Sequence, residues 1–237
     1  MKKFTIEQEF WDIFPRAEIA VILARGIDNG ENQRQKEIEE FLSGAGKDAE
    51  KWLTAPVLSQ NKVIAVWREA YQKFKTKKKV RSSIENLLKR IEKGTGVGPI
   101  NPLVDIYNAV SLIYGIPCGG EDIDTFEGDL RLTKAIGDEC FMALGDVEAS
   151  TALPEEIIYK DDVGAVCRSW NWRDGKRTML TEDTVNAFLI IESVDPERGE
   201  DVRAAAKMLA EKTEEFLGGR TETFLMNVEQ REIVLTD

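Results

Sequence analysis

A chain of 237 residues can bury a sizeable core, and 42% hydrophobic with 32% charged content is ordinary for a globular protein without an apolar run of membrane-spanning length. Histidine is absent altogether, which excludes a Ser-His-Asp triad, a Cys-His pair, HExxH zinc chemistry and a histidine phospho-relay. The formal charge of −11 argues against a general nucleic-acid coat, yet residues 61–93 hold eleven Lys or Arg against three Glu, a local +8 that leaves −19 elsewhere.

The first residues are basic but carry no continuous apolar region or small-residue cleavage site, so no secretory signal and a cytoplasmic location are expected. Cys118, Cys140 and Cys167 are odd in number and widely spaced, as reduced thiols would be; they supply no zinc-ligand pair, and no metal or cofactor is expected. Catalysis would then fall to carboxylates, Lys, Tyr, Cys, backbone donors or the substrate itself.

In chain order, residues 4–6 and 17–23 read as strands, the second apolar nearly throughout and so buried on both faces. Residues 33–52 pattern as a helix interrupted near Gly44-Ala45-Gly46, and 57–74 as a second helix with Val63, Val66, Trp67 and Ala70 inward and Ser59 as its cap. A basic loop follows over 75–81. With Lys73 before it, the cations Lys75, Lys77, Lys78, Lys79 and Arg81 form a surface suited to an RNA backbone, or else a solvated lysine-rich face. Ser82-x-x-Glu85 opens the next helix with a capping box, and Gly94 stops it. Gly94, Gly96 and Gly98 invite a phosphate-loop reading, but the Lys-Ser/Thr pair is missing.

Asn101-Pro102 is a strong helix start, and the helix runs to Gly115 with Leu103, Ile106, Tyr107, Val110, Ile113 and Tyr114 on its apolar face. Asn101, Asp105 and Asn108 fall on another face and are read as one wall of a pocket, or as capping plus chance. Pro117-Cys118-Gly119-Gly120 follows as a turn that brings bare backbone near a ligand, with Glu121, Asp122 and Asp124 directly after it. Residues 130–135, 141–144, 157–159 and 164–170 read as strands, with Asp161-Asp162 turning between the last two.

From Ser169 to Thr178 the chain places Trp170, Asn171, Trp172 and Arg173 around an Asp174-Gly175 turn. This is either a surface that stacks on a base and pairs with phosphate, or a hairpin whose tryptophans close the core. Thr184 precedes an apolar strand over 185–192, through Asn186, that ends in Glu192, a carboxylate delivered from a strand end. Residues 197–217 form an amphipathic helix and 223–228 and 232–235 closing strands. The expectation is one α+β domain over 1–237. Its N-terminal part (1–98) carries the basic segment and 99–237 carries the motifs, with mixed β-sheets forming a sandwich-like core and flanking helices.

Residues 101–192 resemble the B3/B4 domain of the bacterial phenylalanyl-tRNA synthetase β subunit. The family pattern N-x-x-V-D-I-x-N and its proline turn are matched by Asn101, Val104, Asp105, Ile106, Asn108 and Pro117. The later strands at 157–161, 163–175 and 184–192 take the family's places, so the resemblance covers about half the chain. It implies a sandwich-like α+β fold and an editing module that hydrolyses mischarged aminoacyl-tRNA, with tRNA as partner and neither membrane nor DNA.

The family's Pro-x-His-Ala-Phe-Asp becomes Pro117-Cys118-Gly119-Gly120-Glu121-Asp122, so its active-site histidine falls on Gly119. Glu192 stands for the family's amino-acid-recognising glutamate, on a strand two residues longer counted from Asn186. The resemblance then implies hydrolysis by positioning, with Gly119 and Gly120 polarising the ester, Glu121 or Asp122 or the ribose hydroxyl orienting water, and Asp105, Asp161, Arg168 and Glu192 among the substrate-binding set. A non-catalytic RNA- or amino-acid-binding module is the alternative. A cyclic-dinucleotide enzyme, suggested by the letters GGED, is disfavoured because Ile123 follows where that signature has Phe.

Overall fold

The computed structural model describes residues 1–30 and 33–236. The chain opens with β1 (Lys2–Ile6), α1 (Gln8–Ile13) and β2 (Glu18–Arg25), then α2 (Gln35–Asp48), α3 (Lys62–Ala70), α4 (Ser83–Glu92) and α5 (Pro102–Tyr114). Short strands follow: β3 (Cys118–Asp122), β4 (Leu130–Lys134), β5 (Cys140–Phe141), β6 (Ser150–Thr151), β7 (Ile157–Lys160), β8 (Ala165–Arg168) and β9 (Arg173–Asp174). The long β10 (Asn186–Ser193), α6 (Gly199–Leu217), β11 (Arg220–Met226) and β12 (Glu232–Thr236) complete it.

Among the described residues, one sheet runs β12-β1-β4-β7-β8-β9, antiparallel except where β1 meets β4, and a second runs β11-β2-β10-β3, antiparallel throughout. Alternation along β2 explains its continuous apolar run. Ile19, Val21 and Leu23 pack with Phe4, Leu130, Tyr159 and the rest of the first sheet, while Ala20, Ile22 and Ala24 pack under α5 and α6. The result is sheet on sheet on helices, the sandwich-like α+β arrangement expected, with β2 and β10 as its central, doubly buried strands.

Local chemistry sets the helix ends. Asn101 Oδ1 accepts the Val104 N–H at 3.1 Å, and Gly115 ends α5 in the left-handed region, where an added Cβ would lie 2.8 Å from the Trp52 ring. Ser82 Oγ caps Glu85 N–H at 3.3 Å, but the reciprocal half of the predicted box is absent, because the buried Glu85 carboxylate binds Arg68 and Arg81 instead.

Several expectations need correction. α2 runs unbroken through Gly44 and Gly46, where glycine keeps ordinary helical backbone at a modest entropic cost and Leu42 and Ala45 are buried on either side. The helix expected over 57–74 is shortened to α3, and Asn61, not Ser59, stands at its N-terminus, with its side chain holding Ala55 N–H and Leu58 O. α1 was unpredicted.

Asp105 is fully buried in α5; one oxygen accepts the Ile100 N–H and the other has no protein partner. Burial raises its pKa to about 6, opposed by that N–H and reinforced by Glu39. A carboxyl whose folded pKa lies above its unfolded value favours folding when protonated, so this contribution is present below pH ~4 and lost as pH rises through about 6. Asp105→Asn should therefore gain on wild type by roughly 2 kcal/mol between pH 4 and pH 8. Urea unfolding at the two pH values checks this; a constant difference would remove Asp105 as the cause.

Candidate functional site

Where β3 and β10 of the second sheet face β7, β8 and β9 of the first, the sheets enclose a small, partly open cleft of about 70 Å³. Strand alternation decides what lines it. Gly119 and Glu121 of β3 share the cleft-facing side with Phe188, Ile190 and Glu192 of β10, while Gly120 and Asp122 face the other way. Leu130, Tyr159, Val166 and Cys167 come from the first sheet, and Trp170, Asn171 and Trp172 from the turn after β8.

That turn is strained. Ser169 and Trp170 both hold positive φ, 47° and 65°, an uncommon conformation for two consecutive residues with side chains. It directs the Trp170 ring between the sheets, against Phe10, Phe14 and Trp67, and leaves the indole N–H bonded to Glu192. Glu192 also accepts from the Tyr159 hydroxyl and from Asn171 Nδ2 at 2.8 Å, and Asn171 in turn accepts from Tyr71 at 2.7 Å. Burial raises the Glu192 pKa to about 7, against the lowering effect of these three donors.

At the other end stands Glu121, 5% exposed, with neither carboxyl oxygen in an ion pair among the described residues. Burial first, then the nearby Asp174 carboxylate, pushes its pKa well above the ordinary range. The buried Thr178 hydroxyl beside it has no other partner and offsets that rise in part as a hydrogen-bond donor, and the nearby Arg177 guanidinium is engaged by Asp161 at 2.7 Å. No lysine or arginine lines the cleft among the described residues.

The structure redistributes the predicted site residues. Glu121, Trp170, Asn171, Trp172, Glu192 and both glycines border the cleft. Gly119 and Gly120 form no open turn but sit within β3, opposite Ile190 and Leu189. Successive strand N–H groups point to opposite edges, so the pair cannot converge on one ester oxygen. Asp122 is turned away and bonds Thr184 Oγ1 and the Asp124 N–H. Asn186 donates to Asp124, also outside the cleft.

Asn101 is a buried cap held by Asn29, and Asp105 and Asn108 are buried in α5, so none of the three walls this cleft. Asp161 accepts the Glu127, Val163 and Gly164 N–H groups, closing the turn between β7 and β8. Arg168 is locked on Glu156, Arg173 is exposed and pairs with Asp146, and Trp170 is too buried to stack on a base. The hairpin also turns earlier than expected, over 169–172, leaving Asp174 in β9.

Tyr159, Cys167 and Phe188 were missed as cleft residues. Their alternation was legible, but nothing local ties Tyr159 to a carboxylate 33 positions away. The basic loop is tied to the cleft at both ends: it leaves α3 at Tyr71, which bonds Asn171, and returns at Ser83, a lining residue. Lys73, Lys75, Lys77, Lys78 and Lys79 are exposed, and Arg81 is half-buried on Glu85.

The two glycines make a sharp test of this register. A Cβ at Gly119 would meet nothing nearer than Ile190 Cγ2 at 3.8 Å, whereas one at Gly120 would lie 2.7 Å from Leu189 and 2.9 Å from Leu180. Gly119→Ala should be near neutral and Gly120→Ala should cost about 1–3 kcal/mol by denaturant titration. The reverse order would mean that β3 faces the other way.

Comparison with known proteins gives a consistent picture. The B3/4 domain family matches residues 66–217, more than half of the chain. The chain is 37% identical over 94 residues to the phenylalanine--tRNA ligase beta subunit of Ruegeria pomeroyi, covering 40% of this chain and 12% of that one. It is 33% identical over 120 residues to the subunit of Lactobacillus johnsonii, covering 50% and 14%. It therefore spans a small fraction of those relatives. An N-terminal fragment of the phenylalanyl-tRNA synthetase beta subunit from Pyrococcus horikoshii superposes with TM-score 0.51 at 12% identity, covering 94% of this chain and 53% of the fragment, which speaks to the fold.

Proposed function

Since the chain belongs to the B3/4 domain family, we propose that its cleft receives the aminoacyl end of a tRNA and that the protein hydrolyses mischarged aminoacyl-tRNA as a trans-editing deacylase. The observation that carries this reading is the pair of buried carboxyl groups, Glu121 and Glu192, facing one cleft that no lysine or arginine among the described residues lines. A bound α-ammonium group would supply the missing cation.

Chemistry would proceed by positioning. With no side chain at Gly119, the ester would approach bare backbone next to the buried carboxyls. Water adds to the ester carbonyl, the tetrahedral intermediate collapses, and the terminal ribose oxygen departs with a proton. The neighbouring ribose hydroxyl is the group that orients the water in this scheme, because Asp122 faces away and the chain has no histidine. The exposed lysines of the loop that starts at Tyr71 and returns at Ser83 would meet the phosphate backbone.

A deacylation assay over a panel of mischarged tRNAs tests the reading. Turnover of at least one ester above the spontaneous rate is expected, together with RNA affinity that falls steeply with salt and loses slope when Lys75, Lys77, Lys78 and Lys79 are neutralised. Salt-dependent RNA binding with no turnover on any substrate would instead establish a binding module, the reading that the absent histidine favours.

A further inference from the structure

The proposed function accounts for one cation, but the cleft has two buried carboxyls. Glu192 is already held by Tyr159, Trp170 and Asn171, a fixed acceptor that suits the α-ammonium every amino acid carries. Glu121 is different: it is 95% removed from solvent, points from β3 into the same cleft, and has neither oxygen in an ion pair among the described residues, its one adjacent donor being the Thr178 hydroxyl. An unpaired buried carboxyl is costly, and native structures keep such groups where something outside the chain completes them.

Resting on the reading that this cleft holds the amino-acid end of the substrate, we propose that Glu121 receives a second ammonium, on the side chain, so that the cleft selects amino acids ending in a primary amine, of the lysine or ornithine type. The wall supports such a chain. Phe188, Ile190, Leu130 and Val166 give the cleft an apolar wall suited to an aliphatic stem. The groups near Glu121 are Asp174, Asp122, Arg177 and Thr178; Asp161 already holds the one cation among them, and the other two charges are acidic. Burial keeps the empty carboxyl protonated more readily than usual, so an arriving ammonium would displace a proton.

The probes are L-lysinamide and L-norleucinamide, which share the α-ammonium and the four-carbon chain and differ in the terminal amine. The amide avoids placing a free carboxylate beside Glu121 and Glu192. Titrated into the full chain by calorimetry, lysinamide should bind at least about tenfold more tightly than norleucinamide, and Glu121→Gln should abolish that ratio. Glu121→Met, which removes the polar group and keeps the volume, should do the same. Near-UV circular dichroism confirms that each variant is folded.

Equal binding of the two probes, tighter binding of norleucinamide, no binding of either, or a lysinamide preference that survives in both variants would overturn the proposal. Failure of the broader reading shows separately. A Glu121-dependent lysinamide preference without deacylation of any tRNA leaves this inference standing and removes the deacylase. Turnover confined to esters of neutral amino acids does the opposite.

Discussion

Glu121→Gln should lower kcat/KM for deacylation of the preferred aminoacyl-tRNA by about 10- to 100-fold while leaving the fold as stable as wild type or more so. The two halves of this result have one cause. In the free protein the carboxyl is buried without an ion-pair partner, so ionising it costs solvation that the Thr178 hydroxyl and the Arg177 charge return only in part. An amide of the same shape removes the ionisation cost but cannot pair with an ammonium group. A group retained at the expense of stability and needed for activity is the signature of a binding site, whereas a structural carboxylate would lose both together. Single-turnover deacylation beside urea titration at pH 8 separates the cases; kcat/KM within threefold of wild type, with a loss of stability, would assign Glu121 to the scaffold.

The second large effect concerns the scaffold itself. Arg168 and Glu156 are 1% and 0% exposed and make a two-point pair, Nη2 to Oε2 at 2.6 Å and Nε to Oε1 at 3.2 Å, while Ser169 Oγ and the Leu153 N–H complete the carboxylate. The pair lies directly before the strained turn that aims Trp170 at Glu192. Glu156→Ala strands a guanidinium left with only Ser150 Oγ at 3.4 Å and the Phe141 ring among the described side chains, and should destabilise the protein by about 3–5 kcal/mol. The double variant Glu156→Leu with Arg168→Met should recover most of that loss, because two apolar side chains leave no buried charge unpaired. Shifts in urea midpoint at constant slope measure both. A single variant within 1 kcal/mol of wild type would mean that the turn is held by its aromatic contacts alone.

Legibility in the sequence followed the range of the interactions. β2 and β10 announced themselves as apolar runs because burial on both faces demands it, and Asn101-Pro102 marked α5 because a cap and its helix are adjacent in the chain. Gly119-Gly120 looked like a turn because glycine pairs usually are. In the fold they are strand residues, Gly120 chosen because Leu189 and Leu180 occupy the place of its side chain. The family resemblance put Arg168 and Asp161 among the substrate ligands, yet each is consumed by partners that tertiary folding brings to it. The polar stripe of α5 drew attention for a sound reason, poor helix formers on a helix, but the reason lay in packing and capping and not in the cleft. Of Glu121, Asp122 and Asp124, only the one that alternation turns inward, Glu121, lines the cleft.

The central claim is that the cleft between the sheets holds the aminoacyl group. A crystal structure with a stable amide analogue of an aminoacyl-adenosine, offered in lysyl and norleucyl forms, tests it most directly. The account predicts density between Gly119, Glu121 and Glu192, with the α-ammonium on Glu192 and the adenosine toward the loop that joins Tyr71 to Ser83. Analogue bound elsewhere on the protein while this cleft stays empty would contradict it.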